Sequence, residues 1–142
     1  MWDHYLIVAD IYDMDLQCYY HEFSHVIDSF LQWDAWHRDD ALYSETGWLD
    51  LNPKWFDGYT YDYSTLPEME DYTSFIDSYS MISPTEDRAR VMEYAMSEYG
   101  SWIFEDAPIL RKKLSYYCRC IRDAFDTTGW PEVLPWEQYL EK

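Results

Sequence analysis

In the stretch QCYYHEFSHVIDSFL, residues 17–31, two histidines stand four apart with a glutamate directly after the first: His21-Glu22-Phe23-Ser24-His25. On a helix, residues four apart share one face, with Cβ atoms about 5–6 Å apart. Two imidazole nitrogens placed this way can share one Zn2+ at about 2.0–2.1 Å. Glu22, beside the first ligand, can take a proton from a water that zinc has acidified toward a pKa of about 7. The chemistry implied is zinc-assisted hydrolysis. A five-residue pattern also arises by chance, so the chain must supply a helix beneath it and a third ligand.

The candidates for that third ligand are His37, His4 and downstream carboxylates. The extended HExxHxxGxxH arrangement would need glycine at Asp28 and histidine at Leu31, and is excluded. His37 falls beyond the expected end of the motif helix and reads as a surface histidine. A glutamate from a second helix, as in His2Glu sites, fits better, and Glu86 on the first turn of the next clear helix is the candidate. Two local readings compete for it: a capping box with Ser83, or an i,i+4 pair with Arg90.

The elements that must position these groups are legible in outline. Residues 5–9 (YLIVA) form a short apolar, β-branched run that reads as a buried strand. Asp13 or Asp15 can cap a helix over about 14–33, where Leu16, Tyr20, Phe23, Val26, Ile27, Phe30 and Leu31 recur at helical spacing with no Pro or Gly among them. Residues 34–75 hold Gly47, Pro53, Gly58 and Pro67 among many aromatics and read as a long loop, either packed over the domain or facing a substrate. Ser83, Pro84 and Glu86 open a second helix running to about Tyr99 and stopped at Gly100. A third helix spans about 108–125, with Leu110, Leu114, Tyr117, Cys118, Ile121 and Phe125 on one face and a basic cluster at Arg111, Lys112 and Lys113. The expected fold class is mainly α (α+β), a motif helix packed with two further long helices and a small, reduced sheet. At 142 residues, one domain over 1–142 is expected.

The blocks YYHEFSHVIDSF and SYSMISPTEDRARVMEYAM resemble those of the gluzincin-type zinc metallopeptidases, in particular the anthrax lethal factor catalytic domain and bacterial metallopeptidases related to it. The similarity covers about residues 18–96, with a large variable segment between the blocks. In that family an HEFGH-like helix runs into an aliphatic-Asp pair, matched by Val26-Ile27-Asp28, and a later E-x-x-A helix supplies the glutamate ligand, matched by Glu86-Asp87-Arg88-Ala89. The resemblance implies a zincin-like fold and Zn2+ held by His21, His25 and Glu86. It also implies Glu22 as general base and Tyr79, seven residues before Glu86, as a donor to the oxyanion. One departure is Arg90, which stands where the family often has a second acid; the support of a ligand histidine then passes to Asp87 or Glu93, with Asp28 a further candidate. The other is upstream length: about a dozen residues precede the motif helix, where zincins carry several strands. Part of the sheet is then absent, rebuilt from 34–75, or held by a longer parent protein.

The composition narrows the partners. A net charge of −18 repels phosphate backbones and argues against nucleic acid. It favours divalent cations and peptide or protein substrates with basic residues. No apolar run approaches the about 20 residues that span a bilayer. No basic region followed by an apolar stretch opens the chain, so no signal peptide is visible, and the compartment stays open between the cytosol and a secreted or cell-surface bacterial parent. Cys18, Cys118 and Cys120 form no disulfide framework and read as free or buried thiols, one bridge to Cys18 aside. Two other functions fit the same residues: a zinc-binding protein that does not cleave, and an acidic interaction module of the immunity or DNA-mimic type.

Overall fold

The computed structural model describes residues 15–140. The strand expected over residues 5–9, together with His4 and Asp13, lies outside them. The described residues are mainly helical: α1 (Leu16–His37), α2 (Glu45–Leu49), α3 (Pro84–Met96), α4 (Gly100–Glu105) and α5 (Pro108–Ala124), with 3-10 turns at Ser78–Met81 and Pro135–Glu137. No strand occurs among them, so the reduced sheet is not found there. Thr60 and Tyr61 donate backbone hydrogen bonds to the carbonyls of Met81 and Ile82 (3.2 and 2.8 Å), which ties the irregular segment to the turn before α3 without building a ladder.

Asp15 caps α1 by accepting from the Cys18 amide at 2.7 Å. The helix runs four residues past its expected end. Asp34 turns inward and pairs with Arg38 (2.7 Å), which also binds Asp123, and Trp33 stacks on His37 at 4.4 Å between centroids. These contacts hold the last turn. His37 is therefore a helical residue, exposed, with Nδ1 2.7 Å from the Trp33 carbonyl.

The helical period of α1 is as expected, but its inward face is not. The buried residues are His21, Ser24, Ile27, Asp28, Leu31 and Asp34. Of the apolar set only Ile27 and Leu31 are buried, while Leu16 is 65% and Phe23 39% exposed. A polar stripe can be buried only when each member finds a partner. Ser24 and Asp34 find theirs locally, in the Tyr20 carbonyl and Arg38, and the partners of His21 and Asp28 come from α3. Asp28 takes a two-pronged hydrogen bond from the fully buried Arg88 (2.6 and 3.0 Å), and His21 meets Glu86 and Glu93.

Ser83 caps α3 by accepting from the Glu86 amide at 3.2 Å, with Pro84 at the first helical position. The helix ends at Met96, short of the expected 99. Ser97 bonds back to the Tyr94 carbonyl at 3.0 Å, a local bond that competes with the helix. Gly100, expected as a stop, instead begins α4. A Cβ there would lie 2.5 Å from both the Tyr139 ring and the Tyr94 carbonyl, so this close approach admits only glycine.

Helix α5 ends within one residue of expectation and buries Leu110, Leu114, Tyr117, Cys118 and Ile121. The basic cluster is split: Lys112 is exposed and Arg111 half-buried, while Lys113 is fully buried. Its Nζ donates to Asp87 and to the Ser74 carbonyl (both 2.8 Å) and lies 3.8 Å from the Phe75 ring centre. All three cysteines are free thiols, Cys18 exposed and the other two buried, so there is no bridge to Cys18.

Candidate metal centre

Helices α1 and α3 lie side by side, and the first turn of α3 meets the middle of α1. Three ligand atoms converge there. His21 Nε2 stands 3.1 Å from Glu86 Oε2 and 3.2 Å from His25 Nε2, and His25 Nε2 stands 3.5 Å from Glu86 Oε2. Four donors set tetrahedrally at about 2.0–2.1 Å from zinc are about 3.3–3.4 Å apart, so this triangle has the dimensions of one face of a zinc tetrahedron. Among the described residues these three make the one group of His, Cys, Asp or Glu side chains placed to hold a metal ion.

The hydrogen bonding also asks for a cation. His21 Nδ1 lies 3.0 Å from Glu93 Oε2. A carboxylate only accepts, so Nδ1 carries the proton, and in the neutral ring Nε2 is then a lone-pair nitrogen. That lone pair faces the Glu86 carboxylate, itself an acceptor. Either a second proton or a metal ion must sit between them. Burial alone would lower the His21 pKa; hydrogen bonds to Glu86 and Glu93 outweigh it and raise it to about 9. Burial likewise pushes Glu86 up, and its bonds to His21 and His25 hold it well below the usual carboxylate range. The donor set, two imidazoles and one carboxylate, suits zinc.

The local readings of Glu86 give way to this long-range one. Ser83 does accept from the Glu86 amide, but the Glu86 carboxylate turns to the histidines. Arg90 does not pair with it. Its guanidinium binds Asp77 and both oxygens of Glu93 (2.9 and 2.7 Å). Of the three proposed supporting acids, Glu93 alone touches a ligand histidine. Asp28 is occupied by Arg88 and Gln32. Asp87 points away, into the core, where Lys113, Tyr59 and Trp48 all converge on its Oδ2. The reason is helix geometry: Glu93 follows Glu86 by seven residues, two turns along one face, whereas Asp87 is rotated about 100° from it.

Glu22 is exposed and lines an open cleft of about 460 Å3 together with His21, Tyr79, Arg90, Glu93 and Tyr94. Tyr79 stands on the 3-10 turn with its ring 6.1 Å from that of His21 and 5.7 Å from the Arg90 guanidinium carbon. Burial, then the Glu86 charge, raises its phenol pKa. The structure thus brings Glu22, Tyr79, His21, His25, Glu86 and Glu93 to one place and leaves Asp28 and Asp87 behind it.

Sequence reasoning missed Tyr63. Its hydroxyl donates to Glu86 Oε1 at 3.1 Å, and its ring meets that of Tyr79 edge to face at 6.2 Å. It occupies the carboxylate oxygen that does not face the histidines. The segment 34–75 is divided between the two roles left open for it. Trp48 and Phe75 are fully buried in packing, while Tyr63 belongs to the site. The only signal was the run of tyrosines in GYTYDYS, whose alternation at 59, 61 and 63 puts all three on equal footing and does not say which one reaches the site.

No protein-family description, curated protein or solved structure matches the chain.

Proposed function

We propose that this chain is a zinc-dependent metallopeptidase of zincin-like architecture, with Zn2+ held by His21, His25 and Glu86. The observation that carries the reading is the triangle of two imidazole nitrogens and one carboxylate oxygen, 3.1–3.5 Å on a side, one member of which, His21, lines an open cleft together with Glu22. Zinc bound there supplies Lewis acidity, polarising a peptide carbonyl and lowering the pKa of water toward about 7.

The chain's own groups supply the rest. Glu22, solvent-exposed beside the ligands, accepts the proton from the attacking water and returns it to the departing amine. Glu93 fixes the His21 tautomer through Nδ1, so that Nε2 presents its lone pair to the ion. Arg90 bridges Glu93 to Asp77 and holds that acid in place. Tyr63 occupies the second oxygen of Glu86, leaving Oε2 for the metal. The Tyr79 phenol, kept protonated by burial, donates a hydrogen bond to the oxygen that gains charge in the transition state.

The test is cleavage of a peptide library by zinc-loaded protein beside Glu22→Gln. The substitution keeps the shape and the zinc ligands and removes the base. Hydrolysis is expected to fall by about 10²–10⁴-fold at unchanged zinc content. Equal cleavage by the variant rules out Glu22 as the base. No cleavage by either protein, each carrying one zinc, favours a zinc-binding protein without peptidase activity.

A further inference from the structure

A second cavity of about 630 Å3 adjoins the metal cleft, within the range of about 300–1,000 Å3 typical of ligand pockets. Gln17 and Tyr94 line both, so the two are neighbours. The lining of the second cavity is rich in aromatic rings. Tyr72, Tyr99 and Trp102 border it and are 68%, 45% and 66% exposed. Large aromatic rings left in solvent around one hollow mark a binding surface rather than core packing. The two cavities also carry a charge. Asp106 stands at the cavity and makes no ion pair with any described residue. Along the cleft, Asp15, Glu22 and Glu93 stand with His21 of the metal centre and with Arg90, which Asp77 and Glu93 already hold.

We propose that this aromatic cavity binds the basic side chain, arginine or lysine, of a polypeptide whose backbone passes the metal cleft. The proposal rests on the peptidase reading and names the substrate feature that the cavity recognises. A long basic side chain matches each part of the wall. Its methylenes lie against Ile76, Ile103 and Ala107, its cationic head faces the rings of Trp102, Tyr99 and Tyr72, and Asp106 neutralises it. An apolar side chain would use the rings but strip water from Asp106 without pairing it. The net charge of −18 draws the same class of partner toward the cavity.

The experiment measures binding, so that it does not depend on chemistry. Fluorescein-labelled alanine-based hexapeptides, each with one Arg, Leu, Phe or Glu, are titrated by fluorescence anisotropy against the full chain carrying Glu22→Gln. The same titrations are run with Trp102→Leu or Asp106→Asn added. The Arg peptide is expected to bind about tenfold more tightly than the Leu peptide, and each added substitution is expected to remove most of that preference. Circular dichroism and zinc content are expected to stay unchanged, since both side chains are exposed. The proposal is overturned by equal affinity for the Arg and Leu peptides, by preference for Leu or Phe, by no binding at all, or by a preference that survives both substitutions. Arg-selective binding by a zinc-loaded wild-type chain that cleaves nothing would remove the peptidase reading and leave the pocket standing.

Discussion

At the scale of the residue, His21 is the centre of the site, because both its nitrogens are committed. Nδ1 is bound by Glu93, and Nε2 is aimed at Glu86 and His25. Two consequences can be measured. Glu93→Ala frees the ring to turn and to change tautomer, and zinc affinity is expected to fall about 10–100-fold; an unchanged Kd in a chelator-competition titration would show that Glu93 does not support the ligand. The second consequence concerns protons. In the metal-free protein the His21 pKa is raised to about 9, so at neutral pH a proton occupies the place of the ion and must leave on binding. Apparent zinc affinity is therefore expected to rise about tenfold per pH unit between pH 7 and 9 and to flatten above. The sign runs the other way for the fold. The contacts of protonated His21 stabilise the metal-free protein fully below about 6.5 and are lost as pH rises through about 9. Zinc affinity that is flat over pH 7–9 would contradict this.

At the scale of the element, the site is a matter of register between α1 and α3. Asp28 lies three residues past His25, Arg88 two past Glu86, and their two-pronged hydrogen bond fixes how the helices slide past each other. Removing Asp28 leaves the fully buried Arg88 guanidinium with only the half-exposed Glu45 carboxylate, 3.1 Å away. Asp28→Ala is expected to cost about 3–5 kcal/mol in a urea titration, with zinc affinity falling as the register loosens. A loss below about 1 kcal/mol would mean that the pair contributes little to the packing. Behind it, Lys113 and Asp87 tie α3 to α5 in the same way.

The same elements show how far the sequence could be read. The start of α3 and the whole of α5 were legible, because Ser83, Pro84 and Pro108 are local signals and α5 keeps a true apolar stripe. The inward face of α1 was not. Four of its six buried residues are polar, and His21 and Asp28 are paired with partners sixty or more residues away in the chain, so apolar periodicity pointed to Phe23 and Leu16 as well. The burial of Lys113 was hidden for a related reason. Its position in a run of three basic residues outweighed its spacing from Leu110 and Tyr117, which puts it on the buried stripe. Within the site, His21, Glu22, His25 and Glu86 could be read from spacing and residue type. The choice among Asp28, Asp87 and Glu93 could not, because it depends on the rotation of α3 against α1.

At the scale of the whole molecule, the excess of acid is only partly a surface property. Glu86, Asp87, Glu93 and Asp28 are all buried between helices, each against a cation or a histidine. A metal ion at His21, His25 and Glu86 would add positive charge where the chain concentrates its carboxylates, and binding to the folded state alone stabilises it. At free zinc about a thousandfold above Kd this gain is about 4 kcal/mol, so a chelator is expected to lower Tm in the wild type and to leave a His21→Ala variant unmoved.

The measurement that bears most directly on the metal site is the zinc content of the purified chain by elemental analysis, after reconstitution and dialysis, beside His21→Ala. One zinc per wild-type chain, lost in the variant, is the expected result. No zinc in the wild type, or the same zinc in both proteins, would contradict a site built on His21. It would leave the two histidines as a coincidence of spacing on a polar helix face.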